Sequence, residues 1–229
     1  MLAPPIPLLL GVATVTFAAA VAAAPRFARL VDEDAALGWS APLVAATLAA
    51  WACVGAPEPW LLPNGQAAFQ MSWSAARVRS MLAGMTRGQL ALIGFSFGVD
   101  VLFMALYPVA LATLSLRFGR TSPAARVSAQ TRGCGPDPGP GLAGLTCALE
   151  QYAVAASFAG GLLDFVEGVV FMRVIANPDA FDDDLVPFGT LCAVTKFALL
   201  AFPIGFIAQH ALSKSSAPGA TEGGKPHVQ

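Results

Sequence analysis

Four ionisable side chains near the middle of long apolar stretches are the residues of this sequence best suited to chemistry. They are Asp100, Asp164, Glu167 and Lys196. A charge in the middle of a membrane-length helix is costly, so such groups usually face one another or a cavity. A set of this kind can form a structural ion-pair network, a proton or ion pathway, or a ligand pocket. The sequence therefore predicts a buried charge cluster and leaves its role open.

The positions of these residues along their stretches suggest a common depth. Asp100 and Lys196 each lie about ten residues after the start of a stretch, and Asp164 lies about ten residues before the end of another, which is about 15 Å along a helix. Glu167 follows Asp164 by one turn, so the two acids share a helix face. We therefore expect the four groups to meet at one level.

Small residues accompany the charges on the helix that carries Asp164. Ala156, Gly160, Asp164 and Gly168 recur every four residues, a spacing that lets a neighbouring helix approach closely where the acids point. This pattern predicts tight packing around the acidic face.

Phe103 and Tyr107 share a helix face with Asp100, because seven residues make nearly two turns. Tyr107 is interpreted as an interhelical hydrogen-bond donor, with a catalytic acid as the alternative. One lysine cannot neutralise three carboxylates. Either one or two carboxyl groups stay protonated, or water or a cation enters the cluster.

The composition is that of a multi-pass membrane protein. Of its 229 residues, 56% are hydrophobic and 12% are charged, and the mean hydropathy is +0.65. The net charge of −1 and the lack of a basic cluster give no reason to expect nucleic acid. With only His210 and His227, and no Cys-x-x-Cys, a histidine-rich di-iron or zinc enzyme is excluded. We assign no catalytic residue, metal or cofactor.

The predicted fold is all-α, a polytopic transmembrane helix bundle of about five spans with one interfacial amphipathic helix. Residues 1–66 should hold two transmembrane segments with loops, and 213–229 a disordered tail. Residues 67–87 should form the amphipathic helix, or alternatively a connecting helix packed on the bundle. Residues 88–212 should form a three-helix bundle with the charged core. Residues 1–24 are either a retained span or a cleaved signal.

Arginine placement predicts the orientation. The loop 117–141 holds four arginines, whereas 177–184 is rich in aspartate without calcium-loop spacing. The loop 117–141 should therefore be cytoplasmic, and 177–184 should be a solvated acidic face outside. The C-terminus should lie in the cytoplasm, and the protein in the plasma (inner) membrane. Cys134 and Cys147 could pair in an oxidising compartment, but this orientation puts them in a reducing one.

The charged motifs resemble those of a family of uncharacterised bacterial multi-pass membrane proteins. They lie on three successive spans: Asp100-x-x-Phe103-x-x-x-Tyr107, Asp164-x-x-Glu167 and the lone Lys196. The stretch from Phe69 to Leu82 is also similar to the segment that precedes the Asp-bearing span in that family. The resemblance covers about residues 67–210. It implies the same cluster as the site and implies no activity.

Two functional hypotheses from different classes follow. The first is a scaffold or accessory subunit, embedded in the lipid bilayer, that binds a protein partner or forms a homo-oligomer. The alternative is a small transporter or proton-coupled channel that uses the same cluster. An intramembrane enzyme ranks third, because acid chemistry by Asp164 or Glu167 on a lipid is conceivable but no nucleophile–base pair is visible.

Overall fold

The regular structure is helical wherever the computed structural model describes the chain, and no strand occurs there. The described residues are 22, 24, 26–27, 40–49, 52, 65–120 and 142–215. The helices within them are α1 (Ser40–Ala49), α2 (Gly65–Gln70), α3 (Ala75–Leu82), α4 (Arg87–Arg120), α5 (Leu142–Ala176) and α6 (Leu185–Ser215). Helix α6 therefore extends to Ser215, and the rest of the predicted tail lies outside the described residues.

Helices α4, α5 and α6 are long and apolar enough to cross a membrane. Their candidate spans contain 33, 33 and 29 residues, against roughly 20 needed for a bilayer. Helix α1 is apolar but shorter. The predicted all-helical architecture with several membrane-length helices is thus confirmed. The first predicted span and much of the second lie outside the described residues, so the count of five stays a prediction.

Helix α5 is the central helix of the three. It packs extensively against both α4 and α6, which share fewer contacts with each other. Glycines on α5 make both approaches close: a Cβ at Gly160 would lie 2.7 Å from the Leu200 side chain, and one at Gly168 would lie 2.9 Å from Met104. The predicted small-residue stripe therefore contacts α6 at one glycine and α4 at the other.

Two apolar cores lie towards opposite ends of the bundle. The capped core joins α2 and α3 to the long helices through Phe69, Val78, Leu82, Ile93, Phe97, Phe171, Val174 and Val186. The distal core consists of Ala112, Leu116, Val154 and Ala155 with Ala24 and the flanking Phe27 and Phe158. The rings of Phe27 and Phe158 meet edge to face, with centroids 5.0 Å apart. Ala24, at the end of the first predicted span, and Phe27, just after it, thus pack in the core formed by α4 and α5.

The stretch 67–87, predicted as one amphipathic helix, is divided by the structure into α2 and α3. Ser74 ends the break between them, because its side chain accepts a hydrogen bond from the Arg77 backbone N–H at 3.4 Å and so caps α3. Val78 and Leu82 are buried against the long helices. The segment therefore packs on the bundle, and its position at the membrane interface stays a prediction.

Polar contacts attach the segment formed by α2 and α3, called the cap, to α6 and to the loop before it. The buried Thr190 hydroxyl donates to the Ser72 carbonyl oxygen at 2.8 Å. Arg79 forms an ion pair with Asp183 and donates to the Phe181 carbonyl oxygen at 3.3 Å. Asp183 remains mostly exposed, as expected of a solvated acidic loop. These bonds explain how two short helices hold a defined position over the end of the bundle.

Candidate functional site: a buried charge cluster

The charge cluster lies between the two apolar cores. Along α5, Asp164 is followed by Phe171 of the capped core and preceded by Val154 of the distal core. Along α4, Asp100 lies in the same way between Phe97 and Ala112. Apolar side chains above and below therefore separate the charges from both ends of the bundle.

Lys196 on α6 connects to both acids of α5. Its ammonium donates a hydrogen bond to Asp164 Oδ1, and its Nζ lies 2.7 Å from Glu167 Oε2. The Lys196 and Asp164 side chains are each 6% exposed, and that of Glu167 is fully buried. A charged contact so removed from water fixes the relative positions of α5 and α6, because separating it would leave buried charges unpaired.

Glu167 is bonded less completely than Asp164. Its Oε2 is close to the Lys196 ammonium, but the angles are not those of a hydrogen bond, and its Oε1 has no partner among the described residues. Buried carboxylate oxygens in folded proteins are usually hydrogen-bonded. A carboxyl group in this position is chemically suited to hold a proton.

The α4 residues complete one side of the cluster. Asp100 is buried and close enough to Glu167 and Tyr107 to interact with them electrostatically. The buried Tyr107 hydroxyl faces Asp164, without a hydrogen bond of regular geometry among the described residues. The Phe103 ring lies against that of Tyr107, with centroids 4.9 Å apart. The structure therefore brings all four predicted charges together, with Lys196 in direct contact with the two acids of α5.

The cluster carries three carboxyl groups and one amine. Nowhere in the described part of the chain do three His, Cys, Asp or Glu side chains lie in an arrangement that could hold a metal ion. The excess of acid over base makes protons the simplest means of neutralising the remaining carboxyl groups.

Cys192 belongs to the surroundings of the cluster, although the sequence analysis did not assign it there. It is buried on α6, one turn before Lys196, and both Lys196 and Glu167 interact with it electrostatically. The spacing of four residues between Cys192 and Lys196 was the available signal, because such residues share a helix face. Cys147, considered above for a disulfide with Cys134, is a buried thiol on α5; Cys134 lies outside the described residues.

Comparison with known proteins adds no assignment. No protein-family model matches the chain, and neither a curated protein nor a solved structure matches it. The resemblance to a bacterial membrane-protein family therefore stays a prediction.

Proposed function

We propose that this protein is a scaffold or accessory subunit of a membrane assembly. The observation that carries the proposal is the Lys196 ammonium held between Asp164 and Glu167 in a nearly water-free interior. Because these charges are paired with one another, they hold α5 and α6 together. The three-helix core is then a rigid support, and its outward surfaces are available to a partner.

The outward surface of α4 supports this proposal. Gly94 and Gly98 lie one turn apart, and a Cβ added at either would meet no atom within 4 Å. Phe95 between them is exposed. Small residues on an exposed membrane-embedded face allow another helix to pack closely. This face therefore suits a transmembrane helix of a partner or of a second copy.

The size of the native particle tests the scaffold. The protein is extracted in native nanodiscs with a styrene–maleic acid copolymer, and the protein mass of the particle is measured. We expect a mass above that of the 23.5 kDa chain, reduced by Gly98→Leu because the larger side chain would hold a partner helix away. The exposed Ile204, changed to Leu, is the matched control and should leave the mass unchanged. A single chain per particle, in parent and variant alike, would contradict the scaffold.

Proton-coupled transport is the second candidate, and the partnerless Glu167 Oε1 favours it. A buried acid that can take up and release a proton is a usual component of membrane proton pathways. Purified protein in liposomes with an internal pH dye tests this candidate under an imposed potential. Proton flux that disappears in Glu167→Gln would support transport, and the absence of flux under every gradient would rule it out.

We also propose that the loop between α4 and α5 and the C-terminus lie in the cytoplasm, in the plasma (inner) membrane. The arginines at 117, 120, 126 and 132 favour the cytoplasmic side for the α4–α5 loop. The aspartates of 179–184 favour the opposite side for the α5–α6 loop. Asp184→Cys and Ser215→Cys provide the test in intact cells. A membrane-impermeant maleimide should label residue 184 and not residue 215; the reverse pattern would invert the orientation.

A further inference from the structure

A cavity opens at the capped end of the bundle, where the α3–α4 turn meets the end of α5. Its volume is about 890 Å³, a size suited to a small-molecule or lipid ligand. Arg87 and Asp179 lie on its wall beside Leu90, Gly94 and Met172. Arg87 is the first residue of a membrane-length helix, and Asp179 follows the end of another. The cavity therefore lies at the level of the lipid head groups.

Opposite charges line this cavity without meeting. Arg87 and Asp179 form no ion pair with each other or with another residue in the described ranges. Arg79, which also lines the cavity, is already paired with Asp183. The wall therefore offers one guanidinium and one carboxylate to a ligand.

The amino-terminal end of α4 does not itself offer an anion site. Thr86 and Gln89 cap it reciprocally: the Thr86 backbone N–H donates to Gln89 Oε1 at 2.9 Å, and the Gln89 backbone N–H donates to Thr86 Oγ1 at 3.3 Å. The Arg87 side chain is therefore the group that would bind an anion here. A guanidinium matches the geometry of phosphate oxygens.

The rest of the wall is apolar and runs towards the membrane interior. From Arg87 to Gly94 the helix descends by about 10 Å. Leu90 and Met172 supply apolar surface from α4 and α5, and the space beside Gly94 is open. This wall fits a hydrocarbon chain lying along α4 below a polar group at Arg87.

The geometry points to a binding site for a zwitterionic phospholipid with a primary ammonium head group. Arg87 binds the phosphate, Asp179 accepts hydrogen bonds from the ammonium, and one acyl chain lies along Leu90 and Gly94. A purely anionic head group leaves Asp179 next to like charge, and a quaternary ammonium has no N–H to donate. This site lies at the capped end and away from the charge cluster. It shares Gly94 with the α4 face proposed for a partner helix, whereas Arg87 and Asp179 belong to the lipid site alone.

Native mass spectrometry of the full chain in detergent tests the site. The probes are phosphatidylethanolamine, phosphatidylglycerol and phosphatidylcholine with identical acyl chains. We expect phosphatidylethanolamine to bind most tightly, and Arg87→Gln or Asp179→Asn to weaken it about tenfold each, since each removes a charge-assisted contact. Gly94→Leu should lower binding by filling the open space for the acyl chain.

Two exposed charges at the same end serve as matched controls. Arg77→Gln and Asp184→Asn remove a positive and a negative charge that do not line the cavity, and both should leave binding unchanged. Equal losses in control and cavity variants would show non-specific attraction and overturn the site. Equal binding of the three lipids, or a phosphatidylethanolamine affinity unaffected by Asp179→Asn, would overturn it as well.

Discussion

The Pro108 ring of α4 lies directly over Gly161 of α5, so a Cβ at residue 161 would overlap the ring. Proline has no N–H, so the Met104 carbonyl oxygen lacks its usual partner four residues later in α4. That oxygen faces Gly161 and would lie 3.5 Å from a Cβ there. The interruption in α4 therefore lies against a position of α5 that has no side chain.

Gly161→Ala should destabilise the protein by about 1–3 kcal/mol, because the rigid proline ring cannot move aside as a flexible side chain would. Gly205→Ala is the matched control, since it adds the same methyl group at a glycine of α6 where nothing lies within 4 Å of the added Cβ. The control should be neutral or slightly stabilising, as alanine favours helix over glycine. Thermal unfolding in detergent measures both; equal stability of the two variants would disprove the close contact.

Lys196→Met should cost about 3–5 kcal/mol, because it leaves two buried carboxyl groups without their cation. Adding Asp164→Asn should recover part of this loss, since the acid that directly accepts the lysine hydrogen bond is then neutral. Glu167→Gln alone should cost less than Asp164→Asn alone, because Glu167 accepts no regular hydrogen bond from the described residues. Denaturant unfolding of the single and double variants gives the coupling energy.

Two other outcomes of the Lys196 and Asp164 double-mutant comparison would change the functional interpretation. If Lys196→Met is as stable to denaturant as the parent, the charges do not serve the fold, and the proton-coupled candidate takes precedence. If the double variant is no more stable than Lys196→Met, then Asp164 is not the structural partner of the lysine.

Thr190→Val should destabilise the attachment of the cap by about 1–3 kcal/mol, because the buried Ser72 carbonyl oxygen loses its donor while the side-chain shape is kept. Thr195→Val is the control on the same helix, since its hydroxyl donates only to Leu191 one turn earlier. Hydrogen exchange of residues 65–82 should accelerate in the first variant alone. Acceleration in both would mean that valine disturbs α6 itself.

Arg79→Gln should reduce stability by less than about 1 kcal/mol, because exposed ion pairs are screened by solvent. The Arg79 and Asp183 side chains are 39% and 67% exposed. The small loss should shrink further at high salt. Unfolding in low and high sodium chloride measures the difference; a large, salt-independent loss would assign the role of Arg79 to its packing on Phe181, 4.5 Å from the ring centroid.

The sequence by itself determined the helical class, the three long apolar helices and the placement of charges within them. These properties depend on composition and local spacing: a run of apolar residues predicts a span, and residues three apart, such as Asp164 and Glu167, share a face whatever surrounds them. The expectation that Lys196 lies at the same depth as Asp100 and Asp164 followed from counting residues along each helix.

Only the tertiary structure decided which groups meet. The Lys196 hydrogen bond to Asp164, the Pro108 contact with Gly161 and the hydrogen bond from Thr190 to Ser72 all join residues distant in the chain. Such contacts depend on how helices rotate and approach one another, and periodicity along one helix carries no information about its neighbour's rotation. Close packing of side chains across the interface sets that rotation, and it exists only in the folded chain.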